Sequence, residues 1–159
     1  MLAYAVEHLG VENGTFFHFY SPKTSCQLFA RIYSVVIVGH AKCGGADACL
    51  RAAQAPDFNP SVPGATIADE PVDSPLNQWL WPLTLLAHSL GLPGIDDESL
   101  ATLVKENVKV QVENLAKTET ITKAWGVGTH KKQKVFIHGW VYDLGTGRLR
   151  DLEISRGPM

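Results

Sequence analysis

The stretch "YSVVIVGHAKCGGADACL", Tyr33 to Leu50, decides how the chain is read. Val35 to Val38 is a short uninterrupted apolar run rich in β-branched residues, the pattern of a strand buried on both faces. It ends on Gly39 and His40, and Cys43-Gly44-Gly45 then opens an alanine-rich segment that reads as a helix from about Ala46 to Gln54. An imidazole and a thiol thus sit on one tight turn. Zinc accepts both together, and a two-residue gap lets them converge on one ion. The helix start behind them favours a thiolate, and the glycines let the backbone pass close by. His-x-x-Cys alone is equally compatible with a buried cysteine and a structural histidine. A zinc site needs a third ligand and a fourth position.

Working outward, "LAYAVEHLGV" places Leu2, Ala5, Val6 and Leu9 on one helical face. The block Gly14–Ser34 is aromatic-rich and keeps neither helical nor strand period for long. Prolines 56, 60, 63 and 71 make residues 55–74 a loop. Leu76, Leu80, Leu83, Leu86, Ala87 and Leu90 predict a helix that Pro82 kinks or splits. Asp96 and Asp97 can cap a further helix whose stripe is Leu100, Leu103, Val104, Val108, Val112 and Leu115. "QKVFIHGWVYDLGTGRLRDLEIS" alternates, turns at Asp143–Gly147 and returns, which predicts a hairpin. Strand, helices and strand in that order argue for an α/β sheet with a crossover.

Composition sets the bounds. With 159 residues and 45% hydrophobic content, the chain is expected to form one domain over residues 1–159. A net charge of -2 gives no reason to expect nucleic acid as a partner. No run is long and apolar enough to predict a membrane span, and the first ten residues lack the pattern of a signal peptide. Three cysteines without regular spacing do not make a disulfide framework and suit a reducing, cytoplasmic compartment.

Four segments taken together resemble one family. With Gly14–Ser34 set aside as an insert, the chain reads "LAYAVEHLGVEN-VVIVGHAKCGGADACL". "SPLNQWLWPLTLL", "ENVKVQVENL" and "IHGWVYDLGTGRL" then follow. In this order they are similar to the motifs of the β-class carbonic anhydrases. The resemblance implies a parallel β-sheet core wrapped by helices, with a C-terminal hairpin, assembled as a homodimer or higher oligomer. It implies zinc as cofactor, with His40 and Cys43 as two of three protein ligands. The implied reaction is reversible hydration of carbon dioxide to bicarbonate by a zinc-bound hydroxide.

The chain also departs from that pattern. The family's first zinc ligand belongs to a C-x-D-S-R motif upstream of the "YAVEHLG" helix, with an aspartate–arginine pair in the same motif. No C-x-D-S-R occurs in this sequence. The expectation is therefore a domain incomplete at its N-terminus, with an unpaired sheet edge beside Val35–Val38 and no catalytic aspartate–arginine pair. Cys26 lies in the insert, and Cys49 falls on a different side of the helix from Cys43, so neither replaces the absent ligand. The insert reads as translated intron or, alternatively, as a real aromatic loop.

Two other functions compete with the enzyme: a non-catalytic zinc-binding remnant, and a hydrolase using Cys43 with His40, which lacks an orienting third group. His8, His18, His88, His130 and His138 have no neighbour at ligand spacing, and "HKKQK" at 130–134 reads as a solvated basic turn. Trp79, Trp81, Trp125 and Trp140 fall on apolar patterns. Asp47 sits in the first turn of a helix, where the dipole favours a carboxylate.

Overall fold

The computed structural model describes residues 15–19, 32–64, 66–126 and 134–158; for 15–19, 32–33 and 134 it describes the backbone alone. The expected helix near Leu2–Leu9, Cys26, His8, His130 and most of the basic turn lie outside these residues. The chain forms two compact units.

The first unit is built on a four-stranded sheet: β1 (Thr15–Phe19), β2 (Ile32–His40), β3 (Lys134–Asp143) and β4 (Arg148–Arg156). Their order in the sheet is β1-β2-β3-β4. β1 runs antiparallel to β2, from Thr15 opposite Val38 to Phe19 opposite Ser34. β3 and β4 form the expected antiparallel hairpin, closed by Gly147 N–H donating to Asp143 O at 2.8 Å. The architecture is the anticipated α/β fold with a C-terminal hairpin, and its sheet is mixed. The neighbours β2 and β3 are joined through the four helices of the described residues, the long crossover that parallel neighbours require.

One expectation is corrected here. The β2 edge beside Val35–Val38 is not open, because a strand from the set-aside Gly14–Ser34 block pairs along it. β2 itself begins at Ile32, inside the same block.

The core of this unit shows why the sequence folds so. Ile37, Val108, Val112, Leu115, Ile121, Val135 and Ile137 are buried together. Val108, Val112 and Leu115 come from the C-terminal part of the long helix α3 (Asp97–Ala116), at the spacing that puts them on one face. The short helix α4 (Glu119–Ala124) is capped by the Thr118 hydroxyl, which accepts from Ile121 N–H. Trp125 packs against this core, and its Nε1 donates to Val135 O at 2.8 Å. Gly139 meets α3 so closely that a Cβ there would lie 2.9 Å from Val108 Cγ1.

The second unit contains α1 (Gly44–Ala53), α2 (Pro75–Ser89) and the first part of α3. α1 packs on α2, and the faces they bury carry Ala46, Cys49, Leu50 and Ala53 on one side and Leu80, Leu83 and Ala87 on the other. Pro82 lies inside α2, which continues through it as one helix. A proline removes only its own N–H from the ladder, and the buried residues on either side hold the segment together. Asp96 does cap α3, its Oδ1 accepting from Ser99 N–H at 2.7 Å.

The proline-rich loop is tied down by one buried side chain. Asn77 Oδ1 accepts from Ile67 N–H at 2.8 Å, and its Nδ2 donates to the carbonyls of Ile67, Glu70 and Pro71. Thr66 and Thr84 hydroxyls share a buried hydrogen bond at 2.9 Å, and Gln54 Nε2 donates to Leu92 O and Gly94 O. These polar anchors carry no periodicity, so the sequence pattern does not announce them.

Candidate metal centre

His40 is the last residue of β2. Ala41 and Lys42 make the turn, and Lys42 adopts a left-handed φ of 55°. A non-glycine residue there carries local strain, and the turn is tight because of it. Cys43 is the extended N-cap residue of α1, and its side chain caps no backbone amide. Asp47 N–H donates to Cys43 O at 2.9 Å, so the helix is anchored through the backbone of Cys43 and its thiol is left uncommitted to capping.

The imidazole of His40 is exposed, and its Nδ1 lies 3.1 Å from Ala41 O. Facing a carbonyl, Nδ1 must carry the proton, which leaves the Nε2 lone pair available to a metal. The Cys43 thiol is half-buried and free. Both side chains are thus competent donors, and the structure places them on the turn that their spacing predicts. At Gly44 a Cβ would meet nothing within 4 Å among the described residues, so that glycine is not demanded by crowding.

The other candidates are resolved by their contacts. Cys49 is fully buried, with its Sγ 3.6 Å from Leu80 O. Burial pushes its thiol from the ordinary 9.0 up to about 11, outweighing the lowering effect of a hydrogen bond with Thr84. A thiol so held is a packing residue and not a ligand. Asp47 pairs with Arg51 at 2.8 Å across one helical turn, as a helix carboxylate does. His88 lies against Phe58, with ring centroids 4.9 Å apart. His138 Nδ1 lies 2.8 Å from Ser155 Oγ across the hairpin, a pairing that follows from the register and was not anticipated. Trp79, Trp81, Trp125 and Trp140 are all half-buried, in keeping with their apolar settings.

Zinc requires four donors, at least three of them from protein in the usual catalytic site. Among the described residues, no group of three or more His, Cys, Asp or Glu side chains could hold a metal ion. His40 and Cys43 suit zinc in chemistry, but two donors do not complete a site.

Comparison with known proteins bears on the family and the fold. A family model described as carbonic anhydrase matches residues 29–149, well over half of the chain. Among solved structures, a Coccomyxa β-carbonic anhydrase in complex with acetazolamide is 26% identical, with a TM-score of 0.56 over 79% of this chain and 49% of that one. One of two tetrameric β-carbonic anhydrases from Sordaria macrospora is 22% identical, with a TM-score of 0.54 over 77% of this chain and 53% of that one. The chain therefore spans about half the length of the structures it matches. The extent of the family match, and the α/β fold shared with these structures, show that the chain belongs to the β-class carbonic anhydrase family.

Proposed function

We propose that the chain carries part of the site for the family's reversible hydration of carbon dioxide to bicarbonate, that His40 and Cys43 are two of the protein ligands of its zinc, and that with these two donors alone it hydrates carbon dioxide little or not at all. The observation that carries this reading is the turn itself. A histidine with Nε2 free ends β2, and an uncapped thiol opens α1 three residues later. Zinc, when bound, supplies the Lewis acidity that hydration of carbon dioxide needs.

The chain's own contribution is positional. β2 fixes where His40 leaves the sheet, the Nδ1 contact with Ala41 O fixes the tautomer, and α1 fixes Cys43 through its backbone. In the family pattern the third donor and an aspartate–arginine pair belong to a C-x-D-S-R motif, which this sequence does not contain. The working protein is a homodimer or a higher oligomer, and the sheet fold shared with tetrameric relatives supports an oligomer. A cytoplasmic compartment is proposed on the sequence alone, three cysteines without regular spacing suiting a reducing environment.

The experiment is a zinc titration of the chain and of its His40→Ala and Cys43→Ser variants, paired with a carbon dioxide hydration assay. Weak zinc binding lost in both variants supports the reading. Binding indifferent to both contradicts it. A second reading, a non-catalytic zinc-binding remnant, is favoured by one observation, the two-donor set among the described residues. It predicts that zinc binding persists while hydration stays absent even when an upstream C-x-D-S-R segment is supplied. A Cys43 hydrolase is the remaining alternative. Labelling of Cys43 that zinc fails to block would favour it.

A further inference from the structure

The two ends of the sheet in the first unit are finished differently. At one end lies β4, whose sequence RLRDLEISR carries Arg148, Arg150, Asp151, Glu153 and Arg156. Its pairing with β3 is interrupted by a register shift at Gly139/Trp140, and Glu153 adopts a left-handed φ of 59°. Charges and an irregular register are the devices that stop an exposed strand from recruiting another.

β2 has none of these. Val36, Ile37 and Val38 are 2%, 2% and 6% exposed, and no charged residue occurs from Ile32 to Gly39. A long, uncharged, β-branched strand left open at its edge is a template for pairing with another chain. The structure closes that edge with β1, residue by residue from Val38 back to Ser34. β1 is five residues long, and shortness is itself one way to blunt an outer edge.

We propose that Thr15–Phe19 is a built-in edge strand, which occupies the open side of β2 and keeps it from pairing with β2 of a second copy of this chain. With β3 on the other side, both hydrogen-bonding edges of β2 are taken. Any further strand that pairs with β2 must first displace β1. A strand bringing another metal donor alongside β2 faces the same competition; that consequence alone rests on the function proposed above.

The test is the Phe16→Pro/Phe17→Pro double variant of the whole chain. Amides along an antiparallel strand alternate between facing the partner and facing away, so two adjacent prolines remove one ladder donor whichever phase applies. Sedimentation velocity over a concentration series and hydrogen exchange are the readouts. The proposal predicts assemblies larger than those of the unaltered chain, and about tenfold or greater loss of protection at the Ser34–Val38 amides that face β1. Unchanged assembly size or unchanged protection overturns it. Should the variant not fold, exchange in the unaltered chain decides: protection of the 15–19 amides together with 34–38 supports the proposal, and exchange of 15–19 at the unprotected rate overturns it. His40→Ala leaves both readouts unmoved, so failure of the zinc reading is recorded separately.

Discussion

The Sγ of Cys49 lies 3.6 Å from the carbonyl oxygen of Leu80, which commits the thiol to the packing of α1 on α2. Cys43, six residues earlier at the N-cap of the same helix, is the half-buried one. Two cysteines on one helix thus have opposite roles, and their chemistry should separate them. A thiol-alkylating reagent applied to the folded chain is expected to modify Cys43 and spare Cys49, with peptide mass mapping as the check. Modification of both at comparable rates would contradict the assigned burial.

The same burial has a pH signature. The Cys49 thiol holds its proton up to about 11 when folded, against an ordinary value of 9.0. The unfolded chain therefore loses this proton first as pH rises, and folding stability falls between about pH 9 and pH 11. Below that window the contribution is fully present. Its size is on the order of 2–3 kcal/mol at most. Urea denaturation at pH 8 and pH 10.5 should show a smaller alkaline loss in Cys49→Ala than in the unaltered chain.

Asn77 predicts a loss of stability unrelated to any metal. Its side chain is 1% exposed and serves four backbone groups of the proline-rich loop and its own approach to α2. Asn77→Ala leaves the Ile67 N–H and up to three carbonyls without that partner, a cost of about 2–3 kcal/mol. Asn77→Asp keeps the acceptor for Ile67 N–H but turns a buried carboxylate oxygen toward three carbonyls, and should cost at least as much as Asn77→Ala. Denaturant midpoints measure this.

In the first unit, Gly139→Ala places a methyl 2.9 Å from Val108 Cγ1 and 3.2 Å from Val112 Cγ2. Overpacking of this kind costs about 1–3 kcal/mol. Trimming the facing side chain with Val108→Ala should recover part of that loss in the double variant. A double variant whose loss equals the sum of the two single losses would show that the contact does not limit the fold.

Much of this architecture was legible because periodicity is a direct consequence of burial. The stripe Leu100, Leu103, Val104, Val108, Val112 and Leu115 reads as one helical face, and all six residues are buried. The Asp143–Gly147 turn and the strand ending at His40 were equally plain. What escaped was non-periodic or long-range. β1 is five residues of an aromatic-rich block, and only its pairing with Ser34–Val38 makes it a strand. Pro82 reads as a breaker, yet packing on both sides keeps α2 whole. Spacing and chemistry single out His40 and Cys43 as a candidate corner, and the family resemblance is what implies their role as ligands; the absence of a third donor near them among the described residues depends on tertiary placement.

The most direct test of the account is zinc affinity, read by competition with a chromophoric chelator. The chain is predicted to bind one zinc weakly, to lose it in His40→Ala and in Cys43→Ser, to keep it in Cys49→Ala, and to show little or no carbon dioxide hydration. Zinc binding that survives loss of both His40 and Cys43, or a zinc-dependent hydration rate from the chain alone, would contradict a two-donor corner that needs a partner.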